Sequence, residues 1–122
     1  MPTNHPSGNP KAVKEATVTA KIVKGLNALP STYVRKVHGG RYGAGWPDII
    51  GTCHGKTLAL EVKSPTTSYK VTPLQAAELA KWQAAGAVAG VVTSLAQVVE
   101  LMELCPMLST TGAVRQARAS LR

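Results

Sequence analysis

Two apolar runs separated by two turn residues constrain this chain more than any other feature. The stretch PDIIGTCHGKTLALEVK, residues 47–63, reads as strand, turn and strand, with His54-Gly55 as the connection. Gly55 sits where a two-residue hairpin turn needs a residue tolerant of positive φ. The turn sets the register: Cys53 faces Lys56, Thr52 faces Thr57, and the count runs outward to Asp48 opposite Glu61. Directly opposed residues hold their Cβ atoms roughly 4.5–5.5 Å apart. Two carboxylates that close repel, so a shared proton or a bound cation must offset them. Strand alternation puts Lys63 on the face of Glu61 and turns Leu58, Leu60 and Val62 to the other, apolar face.

The remaining chain bounds what such a hairpin can serve. At 122 residues it is one domain with little to spare for a core. Aromatics are few and Phe is absent, so Val, Ile, Leu and Ala must fill the interior, and a small core gains from dimerisation. Fourteen Lys and Arg against six Asp and Glu give a net charge of +8. That balance favours a polyanionic partner, nucleic acid first, over a merely soluble cationic protein. Cys53 and Cys105 match no metal or disulfide framework and read as reduced, buried thiols of a cytoplasmic protein. Residues 1–11, MPTNHPSGNPK, are polar and Pro-rich, which reads as a mobile arm rather than a signal peptide. The apolar run from Ala84 to Val99 is broken by Gly, Thr, Ser and Gln and flanked by Lys81 and Glu100. It is too short to span a bilayer.

The pattern from Ala12 to Leu29 is helical, with Glu15, Thr19, Ile22, Leu26 and Leu29 on one stripe and Lys14, Lys21 and Lys24 on another face. Pro30 ends it. TYVRKVH, WPDIIGTC and KTLALEVK read as three strands, with Arg41 and Tyr42 in the loop between the first two. Thr72 reads as an N-cap, with Pro73 at the first helical position and Gln75 three residues after the cap, for a helix running to about Ala85. AVAGVV is a short buried strand, and Ser94 caps a third helix running to about Leu104. The tail, residues 106–122, is basic and weakly helical. The order α-β-β-β-α-β-α implies an α/β fold over residues 12–105: a mixed sheet flanked by helices, its first three strands antiparallel. The last two strands are parallel through a crossover.

Glu15 begins an apolar stripe, and Gln75 shares one with Leu79 and Trp82, so both polar groups fall where patterning expects core. Each has a plain reading. Glu15 suits a first helical turn, and Gln75 completes a capping box with Thr72. Trp46, beside Pro47, reads as packing before base stacking. Glu-x-Lys alone is common. Its conjunction with Asp48, placed opposite Glu61, is what points to chemistry.

The combination GWPDIIG…LALEVKSP…TPLQ resembles the PD-(D/E)xK nuclease superfamily, most closely the VRR-NUC domains, including stand-alone phage-type versions. The resemblance covers roughly Glu15 to Ser94. It implies a restriction-endonuclease-like core, a divalent metal, Mg²⁺ or Mn²⁺, and hydrolysis of DNA phosphodiester bonds. It also implies a homodimer that cuts branched DNA such as four-way (Holliday) junctions. Carried over by position, Asp48 and Glu61 would be metal ligands with the backbone carbonyl of Val62, and Lys63 the catalytic lysine. Glu15 would hold a second metal or a water, and Gln75 would orient Lys63 or the attacking water. DNA would pass over Lys14, Lys21, Arg35, Lys36, Arg41 and Tyr42 through backbone contacts. The work would be done in the cytoplasm, that of a bacterial host if the chain is phage-encoded. The rivals are a restriction-type or non-selective nuclease, and a non-catalytic DNA-binding module that kept the fold.

Overall fold

The computed structural model describes residues 13–37, 45–66 and 70–103. The expected arm and tail, Cys105, and loop residues Arg41 and Tyr42 lie outside that set. The elements run α1 (Glu15–Asn27), β1 (Thr32–Lys36), β2 (Ile49–Cys53), β3 (Lys56–Val62), α2 (Pro73–Ala84), β4 (Val88–Val92) and α3 (Leu95–Glu103). This is the anticipated order, an α/β fold with a restriction-endonuclease-like core. The four strands form one sheet in the order β1-β2-β3-β4. β1 and β2 pair antiparallel, as do β2 and β3, while β3 and β4 are parallel across α2.

One face of the sheet carries most of the core. Val18, Ile22 and Leu26 of α1 pack with Val98, Val99 and Met102 of α3 over Val34, Ile49, Leu58, Leu60, Val62, Val88 and Val92. The inward spacing of four residues in α1 is the helical period that buries one stripe. On the other face α2 sets Leu79 and Trp82 against Ala59, Ala89 and Val91. β3 is therefore covered on both sides, and all five residues from Leu58 to Val62 are buried, Glu61 among them. No helix among the described residues is long and apolar enough to cross a membrane.

The hairpin turn needs positive φ at both central residues, +50° at His54 and +80° at Gly55, where the sequence pointed only to the glycine. The register is as counted: Cys53 faces Lys56 and Ile49 faces Leu60. Three expectations are corrected. α1 starts at Glu15 rather than Ala12, with no side-chain cap at Lys14. β2 starts at Ile49, three residues later than WPDIIGTC suggests. Trp46 is 46% exposed rather than packed; it stands outside the ladder, next to a buried Pro47.

Gly51 is set by close approach. A β-carbon there would collide with the carbonyl oxygen of Tyr33 and the Cα of Val34 on β1. Gly51→Ala should therefore shift β1 against β2 and cost about 1–3 kcal/mol, as overpacking does. A melting curve close to that of the wild type would show that β1 can move away freely.

Candidate active site

The site stands at the end of the β2–β3 hairpin farthest from its turn. The backbone ladder between β1 and β2 continues past Lys36–Ile49, with Val37 N–H donating to Asp48 O at 2.8 Å. Between β2 and β3 it changes character. Val62 N–H donates at 2.8 Å to the Asp48 carboxylate, Oδ2, instead of to a main-chain carbonyl. By the register, Pro47 falls opposite Val62. Proline has no N–H to give, so the Val62 carbonyl loses its expected ladder donor.

Glu61 is 2% exposed. One of its oxygens, Oε2, accepts from Gln75 Nε2 at 2.9 Å and lies 3.5 Å from Lys63 Nζ. The other, Oε1, is buried with no hydrogen-bond partner. Burial pushes the Glu61 carboxyl up from 4.5 to about 7, assisted by the nearby charge of Asp48 and opposed by Lys63. Once ionised, Glu61 keeps a buried oxygen without a donor beside a second anion, a repulsion that a proton or a cation would relieve.

Gln75 performs two tasks at once. Its Oε1 accepts from Thr72 N–H at 3.0 Å while its backbone N–H donates to Thr72 Oγ1 at 3.1 Å, closing the capping box. Its Nε2 is thereby left to reach Glu61. Gln75, expected to orient Lys63 or the attacking water, donates to Glu61 Oε2, the same oxygen that Lys63 approaches. Gly45, at φ +81°, lies close against Leu74, so the turn before Asp48 packs on the start of α2.

Glu15 is exposed, not buried in a core stripe. Its place is nonetheless at this end of the sheet. Ser64, one residue past Lys63, donates its hydroxyl to Val13 O, and Val13 N–H donates to Thr66 Oγ1 at 2.7 Å. These bonds clamp the start of α1 to the loop leaving β3. No local pattern in the sequence gives Ser64, which is 2% exposed, a role; only its tertiary partner shows it. Among the cations expected to meet DNA, Lys14, Lys21, Arg35 and Lys36 are all exposed.

A solved structure described as "VRR_NUC domain" shares 32% sequence identity with this chain, covering 73% of it and 94% of the other, with a TM-score of 0.56. This chain belongs to the VRR-NUC family of nuclease domains. A second structure, described as "VRR_NUC domain protein", matches at a TM-score of 0.60 over 80% of this chain and 92% of the other, at 17% identity, and shares its fold. Neither a family sequence model nor a curated protein matches the sequence.

The electrostatics of this VRR-NUC site give a pH prediction. A carboxyl raised in the folded state from 4.5 to about 7 keeps its proton longer folded than unfolded. Its stabilisation is full below pH 4.5 and is lost as the pH rises through about 7, on the order of 3 kcal/mol. The melting temperature of the metal-free protein should fall across that window. Asp48→Asn keeps an acceptor for Val62 N–H but removes the opposing charge, so it should flatten the fall and raise stability at neutral pH. An equally steep fall in the variant would mean that Asp48 does not govern Glu61.

Proposed function

We propose that this VRR-NUC domain is a PD-(D/E)xK endonuclease that hydrolyses DNA phosphodiester bonds at the Asp48–Glu61 pair with Mg²⁺ or Mn²⁺. The observation that carries the reading is the buried Glu61. It is opposed to Asp48, held by Gln75 and Lys63 on one oxygen, and has no donor on the other. That donor set fits a hard cation: two carboxylates and the Val62 carbonyl, which Pro47 leaves without its ladder partner. Among the described residues no group of three or more His, Cys, Asp or Glu converges on one point. An ion held here would therefore keep several waters, as Mg²⁺ does. Glu15, clamped to this end of the sheet, would take a second ion or one of those waters.

The bound ion would supply charge neutralisation at the phosphate and a more acidic water. The chain's own residues do the rest. Gln75 holds the Glu61 carboxylate in one orientation from the first turn of a helix. Lys63 keeps its ammonium beside that carboxylate, where it positions the attacking water and offsets charge growing on the phosphate. The ammonium also lowers the cost of keeping Glu61 ionised in a buried strand.

DNA would lie over Lys14, Lys21, Arg35 and Lys36, joined by Arg41 and Tyr42. Contacts of this kind read backbone and shape, not base sequence. Branched DNA, a four-way junction above all, suits a two-fold homodimer, because two matched sites can cut opposing arms in one encounter. The edge strand β4 and helix α3 offer the surface for a second copy. A phage-type enzyme of this kind would act in the cytoplasm of its host.

Incubation with linear, nicked, flapped, splayed and four-way DNA, with and without Mg²⁺, tests the reading. Cleavage should require the metal, favour the junction, and fall about 10²–10³-fold in Asp48→Asn and Lys63→Ala. Calorimetry should show Mn²⁺ binding retained by Lys63→Ala, since lysine is no ligand. Full activity in Asp48→Asn would overturn the site. Absence of Mn²⁺ heat and of cleavage in the wild type would leave a binding module. Light scattering decides whether the cutting species is a dimer.

Charge gives an independent check. Duplex affinity should fall steeply with salt, log K dropping by about 0.9 per log unit for each phosphate neutralised. A flat response would remove charge as the basis of binding.

A further inference from the structure

We propose that the half of the sheet left open beside the catalytic pair is a track for single-stranded DNA, with Tyr33 as its stacking platform and Arg35 as its phosphate contact. This rests on the nuclease reading above and adds to it a contact for an unpaired strand, such as one frayed open at a branch point, beside the duplex arms.

The placement follows from the strand registers. Val34 is 1% exposed and faces the α1–α3 core, so its neighbours Tyr33 and Arg35 face the opposite side of the sheet. That is the side of Ala59 and Glu61. Tyr33 pairs with Thr52, and Thr52 with Thr57; Arg35 pairs with Ile50, and Ile50 with Ala59. The next row outward is Asp48 and Glu61. Three rows thus lead from an aromatic ring, past a guanidinium, to the carboxylate pair. Four residues separate Thr52 from Asp48, so the track is about 13 Å long.

On this side of the sheet α2 packs over β3 and β4, through Leu79 and Trp82 on Ala59, Ala89 and Val91. Among the described residues, the packing of α2 does not extend to β1 or β2. Tyr33 is 63% exposed, Arg35 and Thr52 are exposed, and Ile50 is half-buried. An aromatic face, a β-branched apolar side chain, hydroxyls and one guanidinium do not form a duplex-binding stripe. A duplex hides the faces of its bases and offers phosphates, which call for rows of cations. An unpaired strand offers both base faces and phosphates, and sheets that bind one use exposed aromatics in this way. The Arg35 guanidinium beside an exposed aromatic ring, and continuity with the carboxylate pair, name the occupant: a strand with bases to stack and a phosphate to pair, led toward the site that would cut it.

The test measures affinity with metal withheld, for a fluorescent oligothymidylate and for a blunt duplex of the same length, at fixed salt. Tyr33→Ala should lower the ratio of oligothymidylate to duplex affinity about tenfold, the scale of one lost base stack. Tyr33→Phe should restore it. Arg35→Ala should reduce the salt slope on the single strand by about 0.7, one phosphate contact. Circular dichroism melting checks that each variant folds. An unchanged ratio in Tyr33→Ala would overturn the track, leaving Tyr33 a cross-strand partner of Thr52 and nothing more. A dimer that dissociates on Tyr33→Ala would show a second copy on this face, which also overturns it. Metal-dependent cleavage of duplex with an unchanged ratio would sink this inference alone, whereas a wild type that neither binds nor cuts any DNA would sink the nuclease reading with it.

Discussion

Asp48 and Glu61 meet because a two-residue turn leaves the hairpin no other register, and the rest of the site is arranged around the repulsion between them. A slip of one residue would send Glu61 into the apolar layer of Leu58, Leu60 and Val62 and would turn Leu60 out toward Asp48. The core under α1 and α3 therefore enforces the contact between the carboxylates, even though the contact itself is unfavourable. Pro47 adds a second constraint. It ends regular pairing just where Asp48 must turn its carboxylate to Val62 N–H, and it leaves a main-chain carbonyl without a ladder partner.

The surrounding groups act on that repulsion in different senses. Burial and Asp48 push Glu61 toward its protonated form, and Lys63 pulls it toward the ionised one. Gln75 donates to Glu61 whichever form it takes and so fixes geometry more than charge. Because the same amide caps α2, the orientation of a buried strand carboxylate is tied to the start of a helix on the other side of the loop. Ser64 and Thr66 do the corresponding work for α1, holding Val13 and bringing Glu15 to the same end of the sheet. A cation entering this arrangement would relieve the repulsion that the apo protein relieves with a proton. Ion binding and deprotonation of Glu61 should therefore be coupled.

The two faces of the sheet divide the labour. The α1–α3 face is continuous and apolar and supplies the main core. The α2 face is narrow, built on Ala59 and Ala89, whose small side chains let the helix lie close, and among the described residues its packing does not extend to β1 or β2. That asymmetry sets the carboxylate pair at the border between a packed helix and an open strand surface, where a polymer could reach it.

By itself the sequence determined the element order, the hairpin register and the meeting of Asp48, Glu61 and Lys63, because turn length and strand alternation are local rules. It also determined the capping box of α2, a signal contained within four residues. Only the tertiary structure decided the second use of Gln75, the clamp of Ser64 on Val13, the exposure of Glu15 and Trp46, and which half of the sheet stays open. Each of these depends on where one element ends against another far away in the chain. Helical periodicity placed Glu15 on the buried stripe, but it could not show that the first turn of α1 stays exposed. Packing between distant elements settles such boundaries, and no local pattern of residues encodes them.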